Sequence, residues 1–321
     1  MRRLPALPAA IARITAGGNL ARLAHKIPDR VGVELGARNP NWFYDGRVVS
    51  IETGSEVLKD YLLGDRPVAV SRLGATEQNV LRCYSGSRGR YPKYVRTDIS
   101  MQSGVNPPSD EVLDRFCGMY LDAIPALDFL GTWYHTQERR LVREYLQPSA
   151  ILSPLATLDP LFPKEPWSAA LEGQKVCVVH PFKKSIESQY ARREKLLNDQ
   201  RYLPKFGLTV VEAVQALGAL PAPFTSWFDA LDSMSSQIES SRCDVVLIGA
   251  GAFGLPLAVR AKHAGMKAIH VGGSLQLLFG IGGARWDKSD YVAGLRNDSW
   301  VRPDSAERPP TAQKVDNASY W

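Results

Sequence analysis

The chain has 321 residues, of which 45% are apolar and 22% are charged. This composition is typical of a globular, enzyme-sized protein and excludes disordered and fibrous classes. Gly, Pro or charged residues interrupt every apolar run well before the roughly 20 residues that a membrane-spanning helix needs. The four cysteines are far apart, which argues against a zinc ribbon or a disulfide framework and favours the cytoplasm. The net charge of +6 is too small an excess to indicate a nucleic-acid partner by itself.

Residues 1–59 form a basic lead-in. Between residues 2 and 30 the sequence has six Lys or Arg residues and one acidic residue, Asp29. The apolar residues between Ile11 and Leu23 are spaced as on a loose amphipathic helix, which would rest on a lipid surface while the arginines meet anionic headgroups. A poorly ordered leader or a surface helix explains the same pattern. We therefore expect a cytoplasmic protein, with peripheral contact at the inner membrane face under the lipid interpretation.

From residue 60 onward, β-rich runs alternate with segments of helical period, as in β-α-β units around a parallel sheet. The sequence therefore predicts an α/β, Rossmann-like fold with a largely parallel sheet and helices on both faces. We expect residues 60–300 to form the catalytic domain, residues 147–166 to be a connection, and residues 301–321 to be an irregular surface strap. The predicted strands are Pro67–Ser71, Asp128–Trp133, Lys175–His180, Leu208–Val214, Asp244–Ile248 and Lys267–Val271.

The segment from Arg72 to Glu77 follows the first predicted strand and enters a helix. Glu77 falls in the first helical turn, where the helix dipole favours its anionic form. An arginine and a carboxylate at the end of a strand suit metal binding or acid–base chemistry. The alternative is structural, with Glu77 capping the helix and Arg72 tying the strand end to the fold.

The segment from Ser85 to Arg96 interleaves Tyr91 and Tyr94 with basic residues. Such a pattern can stack and pair with single-stranded nucleic acid, and it equally suits a loop that holds sugar rings or a lipid diphosphate. No recognised nucleic-acid-binding module accompanies it. We therefore expect no nucleic-acid partner.

His180 lies at the end of a predicted strand, immediately before Pro181. A neutral imidazole in that place can take a proton from a sugar hydroxyl. A structural histidine that is hydrogen-bonded by the backbone explains the position equally well.

The residues from Gly249 to Gly254 read Gly-x-Gly-x-x-Gly between a strand and a helix, the context in which this pattern indicates diphosphate binding. Gly249, Gly251 and Gly254 would let backbone N–H groups approach the phosphates; close helix–strand packing is the alternative. An NAD enzyme needs an acidic residue roughly 20 positions further on, and no carboxylate appears before Asp287. We therefore expect no NAD.

Two further glycine turns follow within a short distance, at Gly272-Gly273 and at residues 280–283. Turns at the carboxyl ends of neighbouring strands would line one crevice, the usual ligand site of open α/β sheets. Next to the third turn, Arg285 can complement a phosphate and Trp286 can stack on a base or a sugar. The alternatives are that Arg285 forms a surface salt bridge and that Trp286 is packed in the core.

Four strings together resemble the GT-D type glycosyltransferase family: Arg72-x-Gly74-x-x-Glu77, Val-His-Pro-Phe at 179–182, the string at 248–258 and the string at 270–281. The resemblance covers roughly residues 60 to 300. It implies a Rossmann-like bacterial transferase that uses a nucleotide-diphosphate sugar, UDP-linked above all, to build polysaccharides or glycans. It also implies that Gly74, Phe253 and Gln276 contact the nucleotide sugar.

The family motif is usually Arg-x-Gly-Asp-Gly-Glu, whose two carboxylates are assigned to a divalent metal, Mn²⁺ or Mg²⁺, and to the diphosphate. Ala75 stands at the position of the aspartate, so Glu77 is the one matching metal ligand. Loss of an oxygen ligand weakens a divalent site. Positive charge for the leaving diphosphate would then come from basic side chains; the candidates are Arg72, Lys183, Lys184 and Arg285.

The favoured hypothesis is a glycosyltransferase that acts on a glycan or lipid-linked acceptor in surface polysaccharide synthesis. Glu77 or His180 would activate or orient the acceptor hydroxyl. An NAD(P)-dependent oxidoreductase is an alternative that rests on the glycine pattern alone. A non-catalytic nucleotide- or glycan-binding protein is a third hypothesis, because one carboxylate of the motif is missing.

Overall fold

The structure is a computed structural model that describes residues 43–87, 90–310, 312–314 and 318–321. The basic segment predicted to contact membranes falls in residues 1–42, outside the described residues. The strands are β1 (Val68–Arg72), β2 (Phe129–Thr132), β3 (Ile151–Pro154), β4 (Lys175–His180), β5 (Gly207–Glu212), β6 (Val245–Ile248) and β7 (Lys267–His270). The helices are α1 (Ile51–Leu63), α2 (Ala75–Ser87), α3 (Lys93–Ser103), α4 (Asp110–Ala123), α5 (Thr136–Glu144), α6 (Lys183–Tyr190), α7 (Trp227–Ser241), α8 (Gly254–His263), α9 (Leu275–Leu278) and α10 (Asp290–Leu295).

The seven strands form one sheet in the order β3-β2-β1-β7-β6-β4-β5, and every strand pair is parallel. Helices surround this sheet, so the predicted α/β, Rossmann-like fold is confirmed. Each of the six predicted strands is present, with ends shifted by a residue or two. Parallel strands that are covered on both faces have nearly continuous apolar sequences, which is why these six were recognisable.

Two apolar cores lie on opposite faces of the sheet. In β4, Val176 and Val178 belong to one core, whereas Cys177 and Val179 belong to the other, as expected from the two-residue period of a strand. Helices α4, α7 and α8 contribute to the second of these cores, and helices α1, α6 and α9 contribute to the first. The sheet is therefore a middle layer whose carboxyl edge is bordered by helices from both sides.

Strand β3 was missed because its sequence looks like a loop. Its four residues, Ile151 to Pro154, end in a proline and lie in the segment 147–166 that was predicted to be a connection. A proline is tolerated here because β3 is an edge strand. The segment therefore extends the sheet.

The predicted boundaries at residues 60 and 301 do not coincide with breaks in the packing. Helix α1 crosses residue 60, and its Leu58 and Leu62 are buried in the core. Beyond residue 301, the Glu307 side chain and Ala318 are also buried. The last segment therefore packs into the fold, which is more than the surface strap that its prolines indicated.

The described helices include no apolar stretch of the length needed to cross a membrane.

Candidate functional site

A cavity of about 300 Å³ opens at the carboxyl edge of the sheet. Its wall includes residues at or just beyond the ends of β1, β2, β4, β5, β6 and β7. Strands β1, β2 and β3 follow one another toward one edge of the sheet. The later strands form the other half of the sheet, in which β7, the last strand, pairs with β1. Ligands of open α/β proteins bind at such a reversal of strand order, and the volume is in the range of small-molecule sites.

The cavity brings together eleven of the thirteen residues predicted for the site. They are Arg72, Gly74, Glu77, His180, Gly249, Gly251, Phe253, Gly272, Gly273, Gln276 and Arg285. Gly254 and Trp286 do not line the cavity. Trp286 instead packs edge-on against the Tyr320 ring, with the ring centroids 5.9 Å apart.

Arg72 provides a cation inside the cavity. Its guanidinium lies over the Trp133 ring, 4.2 Å from the ring centroid, in the geometry of a cation–π contact. Burial lowers the pKa of Arg72, and the nearby Glu77 charge opposes that shift. The Nε atom is buried and has no hydrogen-bond partner among the described residues. Because a buried polar donor without a partner costs free energy, Arg72 is suited to receive an anionic ligand.

Glu77 is the one carboxylate among the described residues that line the cavity. It is 5% exposed and folds back over Gly74, where any Cβ atom would overlap the carboxylate. The Thr76 hydroxyl donates to Glu77 Oε2 at 3.0 Å, and the same hydroxyl contacts Ser103. Gly74 therefore makes room for the Glu77 side chain, which is fixed at the cavity wall.

These residues do not fit a Mn²⁺ or Mg²⁺ ion. Both ions require several oxygen ligands, and Ala75, which lines the cavity beside Glu77, has none to give. In the part of the chain that the structure describes, no three His, Cys, Asp or Glu side chains are grouped as a metal site. The positive charge at this site comes from arginines.

His180 is fixed in one tautomer by a backbone hydrogen bond. The Phe182 N–H donates to His180 Nδ1 at 3.1 Å, so the proton of the neutral ring is on Nε2. Burial lowers the pKa of His180 to about 3, which keeps the ring neutral near pH 7. The predicted role was that of a proton acceptor; this geometry favours a hydrogen-bond donor instead.

A second histidine, His270, also lines the cavity. The Ser71 hydroxyl donates to the Arg72 carbonyl at 3.2 Å and lies 3.0 Å from His270 Nδ1. Burial, followed by the Arg72 charge, lowers the pKa of His270 to about 3. The cavity therefore holds two neutral histidines.

His270 was not among the predicted site residues. Its position next to the end of the predicted strand Lys267–Val271 was a usable signal, but its partner Ser71 comes from a strand that is distant in sequence. His270 also accounts for Gly254. A Cβ atom at position 254 would overlap the imidazole ring, so this glycine serves the packing of His270.

Gly249 of the pattern and Gly272 of the second glycine turn also accommodate side chains of this chain. A Cβ atom at Gly249 would lie 2.6 Å from His180 Cδ2, and one at Gly272 would lie 2.8 Å from Arg72 Nη1. Gly251 differs, because its nearest neighbouring atom would be 3.9 Å away and its φ is +54°. Gly251 alone among these three leaves open space beside the backbone.

Residues 318–321 form a wall of the cavity that the sequence did not indicate. Tyr320 and Trp321 line the cavity, and the Tyr320 ring lies against Gly273, where a Cβ atom would overlap it. The Tyr320 carbonyl accepts from Gln276 Nε2 at 3.1 Å, and its hydroxyl accepts from Arg285. Gln276 and Arg285 therefore hold the segment that closes this side.

The opposite rim consists of residues 102–104 and residues 213–217. Asn106 joins these two segments, since its Nδ2 donates to the Ala216 carbonyl at 2.6 Å. The Gly218 N–H also donates to the Ser100 carbonyl at 3.0 Å. No recognisable motif marks either segment in the sequence: the first is at the end of α3, and the second follows β5.

The N-terminus of α6 is occupied by the protein itself. Glu307 accepts hydrogen bonds from the backbone N–H of Lys184 at 2.6 Å and of Ser185 at 3.3 Å. The helix end is thereby neutralised by an internal carboxylate. Lys183 and Lys184, predicted as candidate cations, do not line the cavity.

The aromatic and basic segment at 85–96 makes internal contacts where the structure describes it. Tyr91 is buried and donates to Asp114 at 2.6 Å, and Arg96 is paired with Asp110. Neither Tyr91 nor Arg96 lines the cavity. That no nucleic acid binds this segment stays a prediction.

Comparisons with known proteins do not show a family for this chain. A scan against protein-family models found no match, and a search of curated proteins found none either. A solved structure described as the selenomethionine-substituted structure of domain of unknown function 1792 (DUF1792) aligns with a TM-score of 0.47 and 9% identity. The alignment covers 83% of this chain and 94% of that chain. We draw no functional conclusion from a likeness at this level.

Proposed function

We propose that this protein is a glycosyltransferase that moves a sugar from a nucleotide-diphosphate donor, UDP-linked above all, to a glycan or lipid-linked acceptor. The observation that carries the proposal is Arg72, a desolvated guanidinium whose Nε has no partner among the described residues, in a cavity bordered by glycine turns. A cation in such a place is stabilised by an anionic ligand. A nucleotide diphosphate supplies the anion together with rings that suit aromatic walls.

The turn that precedes α8, from Gly249 to Phe253, is the place that we assign to the diphosphate. Helix N-termini bind phosphates through N–H groups that have no partner within the helix. The 3-10 turn Gly251–Phe253, which leads into α8, has no side-chain cap at its start. The N-terminus of α6, in contrast, already holds the Glu307 carboxylate. Gly251, which precedes α8 and has open space beside it, lets a phosphate approach the backbone. Arg72 and Arg285 border the same cavity.

The proposed reaction needs one proton acceptor and one site for developing negative charge. The acceptor oxygen forms a bond to the anomeric carbon of the sugar, and the bond from that carbon to the diphosphate oxygen breaks. The hydroxyl proton passes to Glu77, and the negative charge that develops on the leaving diphosphate is met by Arg72 and Arg285. His180 donates through its Nε2 proton to a ligand oxygen. No step passes through a metal.

Binding is tested by a thermal-shift screen with UDP, UDP-sugars, other nucleotide diphosphates and NAD, each with Mn²⁺ and with EDTA. A ligand that binds the native state raises its unfolding temperature. We expect a UDP compound to stabilise the protein equally with Mn²⁺ and with EDTA, and NAD to have no effect. Stabilisation by NAD alone would favour the oxidoreductase.

Catalysis is tested by incubating the protein with the UDP-sugar that stabilises it most and measuring release of UDP. Glu77→Gln keeps the shape of the side chain and removes its charge, so turnover should fall by about 10²-fold, the scale of a lost general base, while UDP affinity changes little. Glu172→Gln, at an exposed position outside the cavity, is the control. Tight binding without turnover for any donor and acceptor would favour a non-catalytic nucleotide-binding protein.

A further inference from the structure

Buried polar atoms without partners are concentrated beyond the end of β2. Among the described residues they include Trp133 Nε1, Gln137 Nε2 and Glu138 Oε1. Glu138 is in the first turn of α5 and is 0% exposed. This carboxylate belongs to no motif in the sequence and takes no part in the proposed reaction. Because burying a carboxylate is costly, the groups that hydrogen-bond to Glu138 indicate its role.

Glu138 fixes the backbone of the loop that precedes its helix. Its Oε2 accepts from the N–H of Trp133 at 2.9 Å and from the N–H of Tyr134 at 3.0 Å. The Tyr44 hydroxyl donates to the same oxygen. Tyr134 has a φ of +66°, a conformation that is strained for a non-glycine residue and persists only when its surroundings impose it. The three hydrogen bonds to Glu138 supply that constraint.

The loop held in this way carries the platform for the cation of the cavity. Trp133 lines the cavity, and Arg72 lies over its ring at 4.2 Å. The negative charge of Glu138 also acts on Arg72. No hydrogen bond from another described residue fixes Arg72 Nε, so the position of the guanidinium depends strongly on the Trp133 ring.

We infer that Glu138 is a positioning residue of the anion site: it fixes Trp133 through two backbone N–H groups, and Trp133 in turn holds Arg72 toward the ligand. The inference rests on the proposed function for the identity of the ligand, a nucleoside diphosphate. The contacts from Glu138 to Arg72 do not depend on that identity.

The first test needs no ligand. In a ¹H–¹⁵N spectrum, the ring current of Trp133 should shift the Arg72 Nε–H resonance, which is assigned by its loss in Arg72→Met. We expect the shift to disappear in Glu138→Ala and to persist in Glu138→Gln, whose amide oxygen can still accept from both N–H groups. Glu138→Leu fills the volume without an acceptor and replaces Glu138→Ala if the latter does not fold. An unchanged Arg72 resonance in the folded Ala or Leu variant overturns the inference.

The second test is a double-mutant cycle on UDP affinity, which separates action through Arg72 from a general structural effect. In the wild-type background, we expect Glu138→Ala to weaken UDP binding by about tenfold and Glu138→Gln to weaken it by less than about threefold. In the Arg72→Met background, we expect Glu138→Ala to have no further effect on UDP affinity. Glu144→Ala, on the exposed side of the same helix, is the control. An equal loss in both backgrounds contradicts the inference. Absence of UDP binding in the wild type rejects the proposed function, and the spectroscopic test still decides the role of Glu138.

Discussion

At the scale of single residues, the glycines of this site mainly make room for side chains of the protein. Gly74 accommodates Glu77, Gly249 accommodates His180, and Gly254 accommodates His270. The Gly-x-Gly-x-x-Gly pattern correctly located the carboxyl edge of the sheet. It did not reveal which glycine leaves space for a ligand, because that depends on side chains from β4 and β7 that reach the turn only in the folded protein.

Gly251 and Gly254 should therefore respond differently to the same substitution. Gly254→Ala places a methyl group into the His270 ring, and such overpacking typically costs about 1–3 kcal/mol or more. Gly251→Ala meets no atom closer than 3.9 Å, so its cost is the positive φ, on the order of 1–2 kcal/mol. We expect Gly251→Ala to impair UDP binding while Gly254→Ala mainly lowers the free energy of unfolding, measured in urea. Normal UDP binding by folded Gly251→Ala would move the diphosphate away from this turn.

Glu138 should give the protein a measurable pH dependence of stability. Burial raises the pKa of Glu138 from its ordinary 4.5 to about 7. A raised carboxyl pKa stabilises the fold fully below pH 4.5, and this stabilisation is lost as pH rises through 7. The free energy of unfolding of the wild type relative to Glu138→Gln should therefore fall by on the order of 3 kcal/mol between pH 4.5 and pH 8. Asp159, whose pKa burial also raises to about 7, is present in both proteins and cancels. If the difference in unfolding free energy between the two proteins did not change with pH, the pKa of Glu138 would not be raised.

At the scale of elements, the sequence indicated the strands that are covered on both faces and missed the one that is not. Strand β3 has four residues, and its proline fits only because the strand is at the edge. The segment 318–321 was also missed as part of the site. Its two aromatic residues are brought to the cavity by contacts with Gly273, Gln276 and Arg285, and no local pattern predicts such a return of the chain.

Because Tyr320 and Trp321 form one wall of the cavity, their side chains should contribute to ligand affinity. Tyr320→Ala removes the ring over Gly273 and the acceptor of the Arg285 hydrogen bond. We expect UDP affinity, measured by calorimetry, to fall by about tenfold, the scale of a lost aromatic contact with a base or sugar ring. Phe162→Ala, at a 47% exposed position outside the cavity, is the control. Equal affinities for Tyr320→Ala and the control would exclude this wall from the ligand site.

At the scale of the whole molecule, alternating strands and helices predict an α/β fold with a parallel sheet, and that prediction is confirmed. The sequence does not predict the strand order, because it depends on long-range pairing such as that of β1 with β7. This pairing places Ser71 beside His270 and collects eleven of the predicted residues around one cavity. The resemblance to GT-D type glycosyltransferases stays a prediction, as do the donor, the acceptor and the membrane contact of the basic lead-in.

The most direct test of the account is a calorimetric titration of UDP into the wild type and into Arg72→Met, in buffer that contains EDTA. Methionine retains an unbranched apolar side chain and removes the cation that the diphosphate is proposed to meet. Arg140→Met, which removes an arginine from the exposed face of α5, is the control. We predict that UDP binds the wild type and the control equally, and that it binds Arg72→Met at least about 10-fold more weakly, the loss of a charge-assisted contact. Equal affinity of all three proteins, or binding that requires a divalent metal, would contradict the assignment of Arg72 as the cation of the site.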